Sequence, residues 1–133
     1  MDAPNGHKRK LRIVLVEDDP NDIELTQIHL RTYRITCEIV AVDTKPAFES
    51  ELKRRPDLIL SNLNLVLLDG LSALDIAAKK CPTTPFVFLS GTIREETRAV
   101  ASIRGATDLV LKHDTEHLVA VIRRVCQVQT DED

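Results

Sequence analysis

The sequence predicts an α/β fold in which a parallel sheet is covered by helices on both faces. Short apolar runs recur at a steady interval, at 11–16, 37–42, 57–61, 85–90 and 108–112, and helix-length segments separate them. Four of these runs are nearly continuous in Leu, Ile, Val and Phe, which is typical of strands buried on both faces. The run at 37–42 alternates more with polar residues, so we expect it to form an edge strand.

The segments between the runs have the spacing of helices that bury one face. In the last segment an apolar stripe recurs at i, i+3, i+4 and i+7, and faces the sheet. Its members are Leu118, Val121, Ile122 and Val125. A similar face is predicted after Gly70, made of Leu71, Leu74, Ala78 and Cys81. Both segments therefore predict amphipathic helices packed on the sheet.

Residues at the predicted helix ends agree with this division. Asp19 before Pro20 is typical of an N-cap and first-turn proline, Asp69 and Asp114 are further candidate caps, and Gly105 is placed to end a helix. The result is five βα units with right-handed crossovers in one domain over 11–127. We expect a flavodoxin-like doubly wound sheet of order 2-1-3-4-5, with a basic lead-in at 1–10 and an acidic tail at 128–133.

The composition excludes several other classes of protein. The chain has 133 residues, 43% of them apolar and 29% charged, which is typical of one globular domain. The net charge of −3 gives no field that attracts nucleic acid. Cys37, Cys81 and Cys126 lack metal-binding or disulfide spacing, and no run predicts a signal peptide or membrane span. We expect a cytoplasmic protein with reduced cysteines.

Polar side chains stand where four of the predicted strands end. The carboxyl ends of parallel strands meet at one edge of the sheet, so we expect these groups to lie together. Adjacent acids suit Mg²⁺, whereas a hydroxyl, a backbone N–H and an ammonium suit phosphoryl oxygens. The third run ends in an amide, which is uncharged and a poor nucleophile. The candidate site consists of Glu17, Asp18, Asn62, Ser90, Gly91 and Lys112.

Four longer stretches carry a resemblance to a known family. They are VEDDPND after the first predicted strand, PDLILSNLNLVLLDGLSAL around the third, FLSGTIREE after the fourth and GATDLVLK through the fifth. With them the sequence resembles the receiver domain of bacterial response regulators, over roughly 12–125. The resemblance implies a domain that transfers a phosphoryl group from a histidine kinase to its own aspartate, using Mg²⁺.

The resemblance also implies roles for individual residues. Glu17 and Asp18 match the acidic pair of the metal site, with Asp18 the more direct ligand. Asn64 matches the residue whose backbone carbonyl completes that site. Ser90 matches the switch hydroxyl, and Lys112 matches the lysine that pairs with phosphate.

Four positions depart from the family pattern. Asn62 replaces the phosphoacceptor aspartate, so no aspartyl phosphate can form, repulsion among the acids falls, and Mg²⁺ binding should weaken. Val66 replaces a loop proline, and Leu109 replaces the aromatic residue that follows the switch hydroxyl. His113 replaces a proline that forms a cis bond. We expect a trans bond before His113, because the cis form costs about 2.5–4 kcal/mol.

Three interpretations remain open. In the first interpretation, the chain is a non-enzymatic pseudo-receiver that works as a phosphorylation-independent interaction module and requires no cofactor. In the second, it is a conventional phospho-accepting receiver that carries an Asp-to-Asn substitution at position 62. The third interpretation is a flavodoxin-like binder of nucleotide or flavin, which an aromatic content of 3% and the lack of a glycine-rich loop after Val16 disfavour. We favour the first, because Val66 and Leu109 depart as well.

The resemblance implies partners among signalling proteins. These are a histidine kinase, another receiver, an output protein or a second copy of this chain, whereas direct binding to nucleic acid or membrane is not expected. By analogy with the family, the partner surface is formed by the fourth helix, the fifth strand and the fifth helix. The candidates on it are Arg94, Glu95, Arg98 and Arg104.

Overall fold

The computed structural model describes residues 10–63 and 68–126. In these ranges five strands alternate with five helices: β1 Leu11–Val16, α1 Pro20–Thr32, β2 Cys37–Val42, α2 Lys45–Leu52, β3 Leu58–Asn62, α3 Gly70–Lys80, β4 Phe86–Ser90, α4 Glu95–Ile103, β5 Asp108–Leu111 and α5 Thr115–Cys126. The structure does not describe Asn64, Val66, residues 1–9 of the lead-in predicted at 1–10, or the tail at 128–133, so the predictions made for them lie outside the described residues. None of the described helices is long and apolar enough to span a membrane.

All pairs of neighbouring strands in the sheet are parallel, and the strand order is β2-β1-β3-β4-β5. The predicted doubly wound order is therefore confirmed, and so is the edge position of β2. The strand order reverses between β1 and β3. The registers align Val16 with Ser61 and Asn62 with Leu89, so the carboxyl ends of β1, β3 and β4 lie side by side.

Alternate residues of the strands divide the core into two halves. One half packs Ile13, Leu60 and Val110 of the sheet against α1 and α5. The other packs residues such as Ile59 and Phe88 against α2, α3 and α4. Because helices bury both faces, the central strands are apolar on both sides, which explains their continuous apolar runs.

The predicted helix boundaries agree with the local hydrogen bonds. Asp19 caps α1 by accepting from the Asn21 N–H at 2.9 Å, and Asp69 caps α3. Asp114 accepts from the His117 N–H at the start of α5, at 3.2 Å. Gly105 follows α4 with φ of 101°, a conformation that glycine adopts without steric cost. These predictions are confirmed.

Two details differ from the sequence-based expectations. The third strand includes Asn62 as its last residue, one residue beyond the predicted run. In α3 the buried face is formed by Gly70, Ala73, Leu74 and Ala77, whereas Ala78 is exposed. The prediction for Ala78 was wrong, because the buried stripe of α3 continues from Ala73 and Leu74 to Ala77, which leaves Ala78 on the solvent side. The expected trans bond before His113 is observed, since no cis peptide bond occurs in the described residues.

Gly70 brings the start of α3 close to the end of β3. A Cβ atom there would lie 2.9 Å from the Cα of Leu63, 2.9 Å from the Phe88 ring and 3.0 Å from the Asn62 carbonyl oxygen. The two distances of 2.9 Å are shorter than real Cβ atoms show, and the third is at the limit. The absence of a side chain at Gly70 therefore lets the helix approach the sheet edge that carries the polar residues.

Candidate functional site

Glu17 lies at the centre of the polar residues, directly after β1. Its side chain is 2% exposed. One of its oxygens, Oε2, accepts hydrogen bonds from the backbone N–H groups of Asp18 and Asp19, at 3.1 and 3.2 Å. These bonds form where the chain turns from β1 into α1. The turn therefore holds a buried carboxylate in one orientation and supplies part of its hydrogen bonding.

Asn62 reaches the same carboxylate from β3. The residue is 9% exposed. Its amide nitrogen Nδ2 donates to both oxygens of Glu17, at 3.3 Å from Oε1 and 3.2 Å from Oε2. An amide can donate to a carboxylate, which an ionised aspartate at the same place could not do. The contact at this position is therefore an attraction, where two carboxylates would repel each other.

Lys112 supplies the cation of the site. Its backbone N–H donates to the Ser90 carbonyl at 2.8 Å, which fixes the residue just beyond β5. The Nζ atom of its side chain lies 3.2 Å from Oε1 of Glu17 and 2.6 Å from Oδ2 of Asp22 on α1. Partial burial lowers the pKa of Lys112, but the hydrogen bonds and charges of Asp22 and Glu17 outweigh it, so the pKa lies above its ordinary value.

The described residues fit a divalent cation poorly in this arrangement. Both oxygens of Glu17 are engaged by nitrogen donors, and Asp18 is exposed. Over 10–63 and 68–126, no group of three or more His, Cys, Asp or Glu side chains is placed to hold a metal. Asn64, the third predicted ligand, lies outside the described residues. The weakened Mg²⁺ site of Glu17, Asp18 and Asn64 therefore stays a prediction.

The other residues predicted for the pocket lie at the ends of β4 and β5. Ser90 is 1% exposed, and its hydroxyl donates to the Thr92 carbonyl at 2.5 Å. Gly91 is exposed beside it, and a Cβ there would meet no atom within 4 Å. Leu109 is 2% exposed in the half of the core that packs against α4. The structure thus brings Glu17, Asn62 and Lys112 into contact and places Ser90 on the neighbouring strand end.

A small pocket of about 30 Å³ lies beside the lysine, between α1 and the start of α5. Its polar wall includes Glu17, Asp22 and Lys112, and its apolar wall includes Leu25 and Leu111. These two leucines are 39% and 41% exposed. The pocket has room for about one water molecule beside the ion pairs.

The residues predicted for partner binding are exposed along α4. Arg94 precedes the helix, and Glu95 and Arg98 lie in its first half. Arg104 follows the helix and is 3.5 Å from Asp75 of α3, so it points towards the α3 side. Ile103 is 84% exposed. The surface of α4 thus combines charges with an exposed apolar side chain, and its role stays a prediction.

One functional residue was not singled out from the sequence. Asp22 is part of the VEDDPND stretch and looks like an ordinary acid in the first turn of a helix. Its role depends on the packing of α1 beside the end of β5, which places its carboxylate against Lys112. The only indication in the sequence is its position three residues after the N-cap Asp19.

The fold and the site together define a doubly wound α/β domain with a charged pocket at the carboxyl edge of its sheet. The family model described as "Response regulator receiver domain" matches residues 13–123. The chain therefore belongs to the response regulator receiver family, as the sequence motifs predicted.

Curated relatives agree with this assignment. The chain is 30% identical over 105 residues to transcription factor SKN7 of Saccharomyces cerevisiae, covering 79% of the chain and 17% of that protein. It is 32% identical over 118 residues to nitrogen assimilation regulatory protein NtrX of Azorhizobium caulinodans, covering 86% and 26%. The chain thus spans less than a third of each of these two proteins.

Solved structures show the same architecture. The phosphorylated cyanobacterial phytochrome response regulator RcpA superimposes with a TM-score of 0.72 at 26% identity, over 88% of this chain and 91% of that one. The receiver domain of sensor histidine kinase PA1611 from Pseudomonas aeruginosa, with a magnesium ion in its active site cleft, gives a TM-score of 0.77 at 22% identity, over 90% and 100%. The second likeness supports the fold alone.

Proposed function

We propose that this chain is a receiver of two-component signalling that works by protein contact and accepts no phosphoryl group at position 62. The observation that carries the proposal is the amide nitrogen of Asn62, which donates to both oxygens of the buried Glu17 carboxylate. An amide nitrogen that donates in this way offers no anion to attack phosphorus. The Asn62 side chain therefore adds no further negative charge to the pocket and leaves the covalent step without a nucleophile.

Charge balance in the pocket supports the same conclusion. Lys112 is paired with Glu17 and Asp22, so the ammonium that the family uses to bind phosphate is already neutralised. Leu109 contributes to the core where the family has an aromatic residue, and its aliphatic side chain is buried together with Phe88. The proposed signal is therefore the presence of the folded surface itself, and regulation would act on the availability of the partner.

A test of this proposal uses a small-molecule phosphodonor with Mg²⁺ and intact-mass spectrometry. The wild-type chain should gain no phosphoryl group at position 62, whereas Asn62→Asp is the matched variant that provides a carboxylate at the same place. A labile adduct mapped to residue 62 of the wild type would contradict the proposal. A normal phosphoryl yield in Asn62→Asp, together with altered partner binding, would favour the conventional receiver with an Asp-to-Asn substitution.

The binding surface in this proposal is α4 with the adjacent β5 and α5, and the partner is a histidine kinase, another receiver, an output protein or a second copy of the chain. The support is the exposure of Arg94, Glu95 and Arg98 beside the exposed apolar side chain of Ile103. Val100, one turn before Ile103 on α4, is 40% exposed as well, and neighbouring exposed apolar side chains rimmed by charged residues mark surfaces that bind other proteins.

Charge reversal tests this surface. The double variant Arg94→Glu/Arg98→Glu should reduce, by at least ten-fold, the recovery of partners that the wild-type domain captures from native lysate. The double variant Lys79→Glu/Lys80→Glu changes the charge equally at the exposed end of α3 and serves as the control. Equal losses in both variants, or none in either, would remove α4 from the proposal. Sedimentation of the purified chain would detect a homodimer.

A further inference from the structure

The ion pairs of the pocket form a network that is complete without a metal. Glu17 accepts from the Asn62 amide, from backbone N–H groups and from the Lys112 ammonium. No buried side-chain nitrogen or oxygen atom in the described residues lacks a hydrogen-bond partner. Because a buried carboxylate is stable only when it is paired, this network supplies the compensation that a divalent cation would otherwise give.

The lysine is held mainly from α1. Its Nζ atom is 2.6 Å from Oδ2 of Asp22 and 3.2 Å from Oε1 of Glu17. The exposed fractions are 18% for the Lys112 side chain and 24% for Asp22, so solvent screens the pair less than it screens pairs on the open surface. Asp22 is also in the first turn of α1, where a carboxylate is stabilised by the helix dipole.

We propose that the Lys112 ammonium is the resident cation of this pocket and that Asp22 is the positioning residue that holds it there. Binding of a divalent cation at Glu17 then competes with Lys112, because a second positive charge at the same carboxylate repels the ammonium, and because Asn62 and Lys112 already use lone pairs of its oxygens. The pocket therefore disfavours metal. Competition with the Lys112 ammonium is the physical reason why the described donors fit a Mg²⁺ site poorly. This inference does not depend on the proposed function, since it concerns the isolated domain.

The first measurement follows Lys112 directly. Ammonium protons of a lysine in a persistent ion pair exchange slowly with water, so the Lys112 ζ-ammonium should give a ¹H–¹⁵N signal at low temperature in the wild type. Asp22→Asn should abolish that signal while the amide spectrum stays folded. Glu24→Gln removes the same charge from an exposed position of α1 and should leave the signal unchanged. Retention of the Lys112 signal in Asp22→Asn would overturn the role of Asp22.

The second measurement is a titration with Mg²⁺ alone, followed by amide shifts of Asp18 and by calorimetry. Lys112→Met should bind Mg²⁺ at least ten-fold more tightly than the wild type or Glu24→Gln, because the competing ammonium is gone. The wild type should lose its Lys112 ζ-signal as it takes up the metal. Equal affinity in Lys112→Met and wild type, or Mg²⁺ binding that leaves the ζ-signal intact, would overturn the proposal. Should Lys112→Met fail to fold, the Asp22→Asn measurement and the ζ-signal of the wild type decide the matter.

Discussion

Replacing Asn62 with Asp places a carboxylate where an amide now donates to Glu17. In the wild type, Nδ2 of Asn62 lies 3.3 and 3.2 Å from the two oxygens of Glu17, and both side chains are buried. Asp has nearly the same shape as Asn, so the backbone of β3 need not move. The substitution therefore converts a hydrogen bond into a contact between like charges with little other change.

The expected cost follows from the distance. Two unit charges separated by about 3.3 Å repel each other by about 5 kcal/mol at an effective dielectric constant of about 20. Lys112, 3.2 Å from Glu17, offsets part of this repulsion, and rotation of the new side chain or uptake of a proton relieves more. We expect Asn62→Asp to lower the free energy of unfolding by about 2–4 kcal/mol at pH 7 without metal, a range consistent with an unpaired buried charge.

Urea unfolding at pH 7 measures this effect. The control is Gln27→Glu, which makes the same amide-to-acid change on α1 outside the pocket, beside Arg31. It should alter the free energy of unfolding by less than about 0.5 kcal/mol. Equal stability of Asn62→Asp and the wild type would refute the reasoning, since the pocket would then accept a second anion as readily as an amide.

Three other predictions concern stability. Asp69→Ala should cost about 1 kcal/mol through loss of the α3 cap. Hydrogen bonds from the Ser72 backbone and hydroxyl lower the pKa of Asp69. Urea unfolding should therefore show the full cost above pH 4, and the cost should disappear as the pH falls through the lowered pKa. An equal cost at pH 2 would contradict this prediction. Gly70→Ala should cost more than about 2 kcal/mol, because the added Cβ clashes with the backbone at Leu63. The control Gly91→Ala should cost less than about 0.5 kcal/mol. Equal changes in the melting temperatures of the two variants would exclude the clash. The pKa of Lys112 is raised, so the stabilisation that Lys112→Met removes should be constant between pH 7 and 9. It should be lost only as the pH rises through the raised pKa, above 10.5. A decline between pH 7 and 9 in urea unfolding would contradict the ion pair.

The central residues of the site could be predicted because strand ends are recognisable in the sequence. Glu17, Asn62 and Lys112 each follow or end an apolar run, and parallel strands bring such positions to one edge of a sheet. The structure places all three in contact. The direction of the Ser90 hydroxyl could not be predicted, because a hydroxyl rotates towards whichever acceptor is nearest, here the Thr92 carbonyl.

By itself, the sequence determined the fold class, the strand order and the neutral residue at position 62. Apolar runs, capping residues and receiver motifs are local features of the chain, so they can be recognised in the sequence alone. Only the tertiary structure decided that Lys112 pairs with both Glu17 and Asp22. The partners of a charged side chain depend on which helix packs beside the strand end. The position of that helix is set by the burial of both sheet faces and not by any spacing along the chain.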